Sequence, residues 1–187
     1  MLENHEPQRV SIVAASPGSA LKPQLYAFLQ IVLPAVLIAL VVQLFMAQAM
    51  RVQGSSMEPS LFPDQRVVVE KVTYHLHGPR RGDIVVVRMP DQGDELLIKR
   101  VIGLAGDEVK IAGGRVYVNG RLLDEPYVAD DTPGSQTWVV EPLHVFVMGD
   151  NRPASSDSRR FGTVQRDQIL GRVLLRYWPP QQAGRIE

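Results

Sequence analysis

The chain has 187 residues, 45% of them hydrophobic, and its 20 basic and 20 acidic side chains cancel to a formal net charge of zero. This length suits one domain with an added segment, and the charge balance excludes recruitment to nucleic acid or to acidic substrates by a global field. The absence of cysteine excludes thiol nucleophiles, cysteine-based zinc sites and disulfides.

Residues 1–22 mix Pro, Ser, Gln and Ala without periodicity and are expected to form a disordered tail. From Pro23 to Met50 run 28 residues without a charge. About 20 apolar residues cross a bilayer as helix, so residues 23–50 are expected to be a single transmembrane helix. Pro34 does not argue against this, because membrane helices tolerate proline. A cleavable leader is the rival reading, since Ala47-Gln48-Ala49 ends the run in an A-x-A pattern. The run is longer than the ~7–15 apolar residues of such leaders, and the anchor is the stronger reading. Arg9 and Lys22 on one side, and Arg51, Arg66 and Lys71 on the other, leave the sidedness open.

Residues 51–180 carry short β-branched runs: Val67–Val69, Ile84–Val87, Leu96–Ile102, Val109–Ile111, Val116–Val118, Trp138–Val140, Val145–Met148 and Val173–Leu175. Gly, Pro, Asn and Asp separate them. Gly113-Gly114 and Asn119-Gly120 are hairpin turns, because a type I′ turn needs positive φ at both central residues. The expected fold is mainly β, an irregular antiparallel sandwich or barrel behind the helix. Pro179 and Pro180 close the domain, and residues 181–187 are expected to be a fraying tail.

Three stretches could carry chemistry. In a strand over Leu96–Ile102, Lys99 shares a face with Leu97 and Val101, while Arg100 points the other way with Ile98 and Ile102. Desolvation disfavours a lysine's charged form, so such a lysine can be a general base near neutral pH. Taken alone, it reads first as a lysine at a sheet edge with its amine in water. The second stretch, Gly54-Ser55-Ser56-Met57-Glu58-Pro59-Ser60, reads alone as an ordinary loop, and the third is a dense polar cluster, Gly149 to Arg159. Other motifs carry nothing. Ser19-Ala20-Leu21-Lys22 matches S-x-x-K but lacks its S-D-N and K-T-G companions, and His75, His77 and His144 make a poor metal set.

Together the three stretches resemble the bacterial type I signal peptidases, membrane-bound endopeptidases that remove signal peptides. The serine box appears as Ser56-Met57-Glu58-Pro59-Ser60-Leu61 and the R-G-D box as Arg81-Gly82-Asp83-Ile84-Val85. The lysine box runs from Leu97 to Asp107, and the last box from Gly149 to Arg159. The resemblance implies Ser56 as nucleophile, Lys99 as its general base, and Ser155 as the hydroxyl that orients the lysine. It implies ion pairs Asp157–Arg159 and Asp150–Arg100, and an oxyanion hole at the Gly54 and Ser56 backbone. Where some members carry a serine donor two positions before the nucleophile, this chain has Gly54. The 55 residues between Lys99 and Ser155 leave no room for the large inserted subdomain of some members.

The resemblance further implies signal peptides, the bilayer and the secretion translocon as partners, with no cofactor, metal or nucleic acid. The location implied is the cytoplasmic membrane, with the catalytic domain outside. Seven residues from Ala49 to Ser56 span at most ~25 Å, which keeps Ser56 near the bilayer. Met57, Leu61 and Phe62 are expected either at the interface or in the core. Two other readings are a Ser/Lys peptidase dedicated to one substrate and a non-catalytic anchored β-domain. Ala47-Gln48-Ala49 could itself be cut by a second copy, although a helix end there is expected to protect it.

Overall fold

The computed structural model describes residues 21–41, 47–71, 74, 77–89 and 93–186. Helix α1 (Leu21–Val41) contains Pro34 and, up to Leu40, belongs to a unit separate from the β-rich one. Every residue from Phe28 to Val41 is exposed except the half-buried Val32. Among the described residues, no helix is long and apolar enough to cross a membrane.

The expected helix over 23–50 is corrected at its far end. Residues 42–46 lie outside the described ones, and Ala47–Arg51 form strand β1. These residues pair antiparallel and in register with β2 (Arg66–Glu70), Ala47 opposite Glu70 and Arg51 opposite Arg66. A partner strand thus satisfies their backbone, and tertiary pairing overrides the helical preference of Ala, Gln and Met. The protection expected for Ala47-Gln48-Ala49 from a helix end therefore does not apply.

All eight expected β runs are strands: β2, β3 (Ile84–Met89), β4 (Glu95–Leu104), β5 (Glu108–Ala112), β6 (Arg115–Val118), β8 (Gln136–Val139), β9 (His144–Met148) and β11 (Ile169–Trp178). Three two-residue strands join them: β7 (Arg121–Leu122), β10 (Val164–Gln165) and β12 (Gly184–Arg185). The larger antiparallel sheet has the order β1-β2-β11-β3-β4-β9-β10, with β12 also on β11, and the smaller has the order β7-β6-β5-β8. The β5–β6 turn has Gly113 and Gly114 at φ 58° and 75°, and the β6–β7 turn has Asn119 and Gly120 at 52° and 74°. Both are the expected positive-φ turns.

The larger sheet is covered on both faces, which explains why β3 reads as an unbroken apolar run. Ile84 and Val86 join a core with Val52, Met57, Leu61, Val67, Val69 and Val173. Val85 and Val87 face a second core with Val101, Val145, Val147 and Ile169. A third core joins the two sheets, Ile102, Phe146 and Met148 meeting Val109, Ile111, Val116 and Val118. At Gly103 an added Cβ would lie 2.6 Å from Val109, so only glycine permits this approach of β4 to β5.

The expected tail 181–187 is corrected as well. β12 pairs with β11, Leu175 opposite Arg185, and Ile186 packs on the first core. Met57 and Leu61 are fully buried, whereas Phe62 is exposed, so the interface reading survives only for Phe62.

Candidate active site

Strand alternation sets the site's first member. Leu97 and Val101 belong to the second core, Ile98 packs on the first and Ile102 lies in the third, so Lys99 and Arg100 point to opposite faces. Lys99 is 3% exposed. Burial pushes its amine down to about 8, against Asp157, Glu95 and Asp150, which favour the charged form.

Ser56 lies on the loop between β1 and β2. Met57 and Leu61 anchor that loop in the core, and the Leu61 N–H donates to the Met57 carbonyl at 2.8 Å. Asn151 grips it from the far side. Its N–H donates to the Ser56 carbonyl at 3.1 Å and its Nδ2 to the Ser55 carbonyl at 3.2 Å. So held, Ser56 Oγ is 2.8 Å from Lys99 Nζ across 43 positions of sequence. The Ser56 N–H donates to no acceptor among the described residues. Gly54 has φ 73° and open space around its Cα, so nothing crowds that side.

Two ion pairs brace the loop after β9. Arg100 meets Asp150 in a fork, Nε to Oδ1 at 2.9 Å and Nη2 to Oδ2 at 2.8 Å, with both side chains buried. Arg100 also donates to Ser60 Oγ at 3.2 Å and to the Gly82 carbonyl at 3.1 Å, tying three motif segments together. Asp157 takes both Arg159 nitrogens at 2.8 Å and accepts the Gly149 N–H at 3.1 Å. In the R-G-D segment, Arg81 donates to the Ile102 carbonyl at 2.8 Å and to Asp107 at 2.9 Å.

Ser155 differs from expectation. Its Oγ is buried and has no hydrogen-bond partner among the described residues, so the bond to the Lys99 amine is not formed. It is nevertheless in the site. A Cβ on Gly149 would collide with Ser155 Oγ and the Ser56 carbonyl oxygen, so these three residues meet at one point. Gly149→Ala must therefore displace either loop, and we expect cleavage activity to fall at least about 100-fold. Peptide kinetics on the folded variant check this.

Two site residues escaped the sequence reading. Gly149 and Asn151 lie inside the last motif, but only their packing against the Ser56 loop reveals their roles. The metal reading of His75, His77 and His144 gains nothing. His75 lies outside the described residues, and no metal-binding cluster occurs among the described ones.

Over residues 25–178 the chain matches the family described as "Signal peptidase, peptidase S26". The chain belongs to this family. It is 42% identical over 156 residues to a probable signal peptidase I-2 of Synechocystis, a match covering 80% of this chain and 72% of that protein. With the signal peptidase I of Bacillus caldolyticus it shares 38% over 163 residues, 79% of this chain and 88% of the relative. A signal peptidase I of Enterococcus faecalis with a known crystal structure is 32% identical, covering 51% of this chain and 97% of its own, with a TM-score of 0.48. The signal peptidase described here is accordingly an enzyme, a serine protease that removes signal peptides.

Proposed function

We propose that this signal peptidase cuts preproteins with Ser56 as nucleophile and Lys99 as general base, anchored in the cytoplasmic membrane by its N-terminal apolar segment. The single observation carrying the chemistry is the 2.8 Å contact between Ser56 Oγ and the amine of Lys99, a buried residue. Neutral Lys99 accepts the hydroxyl proton as Oγ attacks the scissile carbonyl. The proton then passes to the leaving amine as the peptide bond breaks, which leaves an acyl ester on Ser56. Water, deprotonated by the same amine, hydrolyses that ester and restores the hydroxyl. The Ser56 N–H supplies a donor to the oxyanion. Asp150 with Arg100, and Asp157 with Arg159, hold the loop that packs behind the dyad.

The substrate reads as an added strand. β9 pairs with β4 only from Arg100 onward, so Glu95–Ile98 keep a free edge on that side among the described residues. An extended A-x-A segment along that edge brings its last small residue to Ser56. The anchor reading rests on the uncharged run, five of whose residues, 42–46, lie outside the described ones, and on the exposed apolar side chains of α1. Such a helix suits an apolar solvent.

The test is cleavage of a preprotein by the full chain in lipid vesicles. Wild type should cut after the small residue, and both Ser56→Ala and a substrate with Trp at that position should give no product. Product from Ser56→Ala would overturn the nucleophile, and alkaline carbonate extraction of the chain from vesicles would overturn the anchor.

A pH dependence follows. Below about 8, Lys99 carries the proton and cannot accept another. The low-substrate rate should climb about tenfold per pH unit on the acid side and level off above about 8. A rate flat from pH 6 to 9 would contradict a lysine base.

A further inference from the structure

The smaller sheet sends a segment against the loop after β9. After β7, residues 123–132 turn over Val128, whose N–H meets the Glu125 carbonyl at 3.1 Å. They end where the Thr132 N–H donates to the Gly114 carbonyl at 2.8 Å. Arg152, at 1% exposure, is the cation that this segment encloses. Glu125 takes two of its nitrogens, Thr132 Oγ1 accepts from it at 2.6 Å, and its Nε donates to the Gly149 carbonyl at 3.1 Å. The Arg152 carbonyl in turn accepts from Arg159 at 2.7 Å. Tyr127 lies over the second buried cation, with the Arg100 guanidinium 3.8 Å from its ring centre and its hydroxyl donating to Glu125 at 3.1 Å. Burial raises the Tyr127 hydroxyl's pKa, so it remains a donor. One carboxylate thus neutralises Arg152 and holds the ring that covers Arg100.

We propose that Glu125, acting through Arg152 and Tyr127, is a positioning residue for the reaction: it holds Gly149–Ser155 in the register that places Ser56 against Lys99. No atom of Glu125 touches the reacting groups. Its effect passes through the Gly149 carbonyl on one side and the Arg100–Asp150 fork on the other. Without its charge, Arg152 is a buried cation lacking a counter-charge and must seek water. That movement draws Gly149 off the Ser56 loop and lets water reach Lys99. This proposal rests on the dyad reading above.

The experiment compares Glu125→Gln and Glu125→Asp with wild type in full-length enzyme, using a signal-peptide substrate and scaling rates to the fraction of folded molecules. Glu125→Gln should lower kcat about 10- to 100-fold with KM within about twofold. The midpoint of the acid limb should move to higher pH, because a wetter lysine holds its proton more tightly. Glu125→Asp, which keeps the charge, should fall between wild type and Glu125→Gln. A role in stability alone would lower the melting temperature and leave the folded fraction with wild-type kcat and midpoint, and that result overturns the proposal. Should Glu125→Gln fold too poorly to assay, Glu125→Asp with an unshifted midpoint would overturn it equally. Ser56→Ala, run in parallel, separates the two readings. A dead Ser56→Ala beside a normal Glu125→Gln rejects the brace and leaves the dyad standing.

Discussion

Replacing Lys99 by arginine is expected to reduce preprotein cleavage by about 10⁴-fold or more, as removal of a member of a catalytic triad does. The substitution keeps a positive charge and a long side chain, yet guanidinium does not deprotonate in proteins and cannot act as the base. Bulk works against it too, because the Lys99 side chain is almost wholly enclosed and the larger group must push against Leu97, Val101 and the Ser56 loop. Lys99→Ala should be equally inactive for a different reason, an absent base in an intact loop. Single-turnover kinetics on both variants, with melting curves to show that they fold, make the check. Retention of more than a few per cent of activity by Lys99→Arg would mean that another group takes the proton.

The second large effect concerns stability. Asp150→Ala leaves Arg100 charged and buried, its side chain only 4% exposed, with both fork hydrogen bonds gone. Its contacts to the Gly82 carbonyl, Ser60 Oγ and the Tyr127 ring are to neutral groups and do not replace the carboxylate. Breaking one side of a buried pair costs about 3–5 kcal/mol. Against a total stability of roughly 5–15 kcal/mol, this leaves a domain close to unfolding. The melting temperature should fall by about 10 °C. Asp150→Asn, which retains an acceptor, should cost less. A loss below about 1 kcal/mol in denaturant titration of Asp150→Ala would show that the fork contributes little.

Strands rich in Val and Ile were legible because such residues fit a pleated surface buried on one or both sides, as in β3 and β4. β1 was not legible. Ala47-Gln48-Ala49-Met50 contains no β-branched residue and continues an apolar run, so only the partner strand Arg66–Glu70 reveals its conformation. The two-residue strands β7, β10 and β12 are too short to leave a periodic signal. Within the site, alternation along β4 correctly set Lys99 and Arg100 on opposite faces. It could not say what either touches, because Ser56 and Asp150 lie 43 and 50 positions away. That information entered through the order of the motifs. The Glu125–Arg152 pair left no trace in any motif spacing, since a carboxylate in a loop after a hairpin reads as solvated surface.

The most direct measurement of the central claim is the identity of the acylated residue. Wild-type enzyme mixed with substrate, quenched in acid within one turnover and digested for peptide mass analysis should carry the substrate's acyl group as an ester on Ser56. Lys99→Ala should carry none. An ester on the neighbouring Ser55, or on Ser155 or Ser156, or turnover without any acylated serine, would contradict the account.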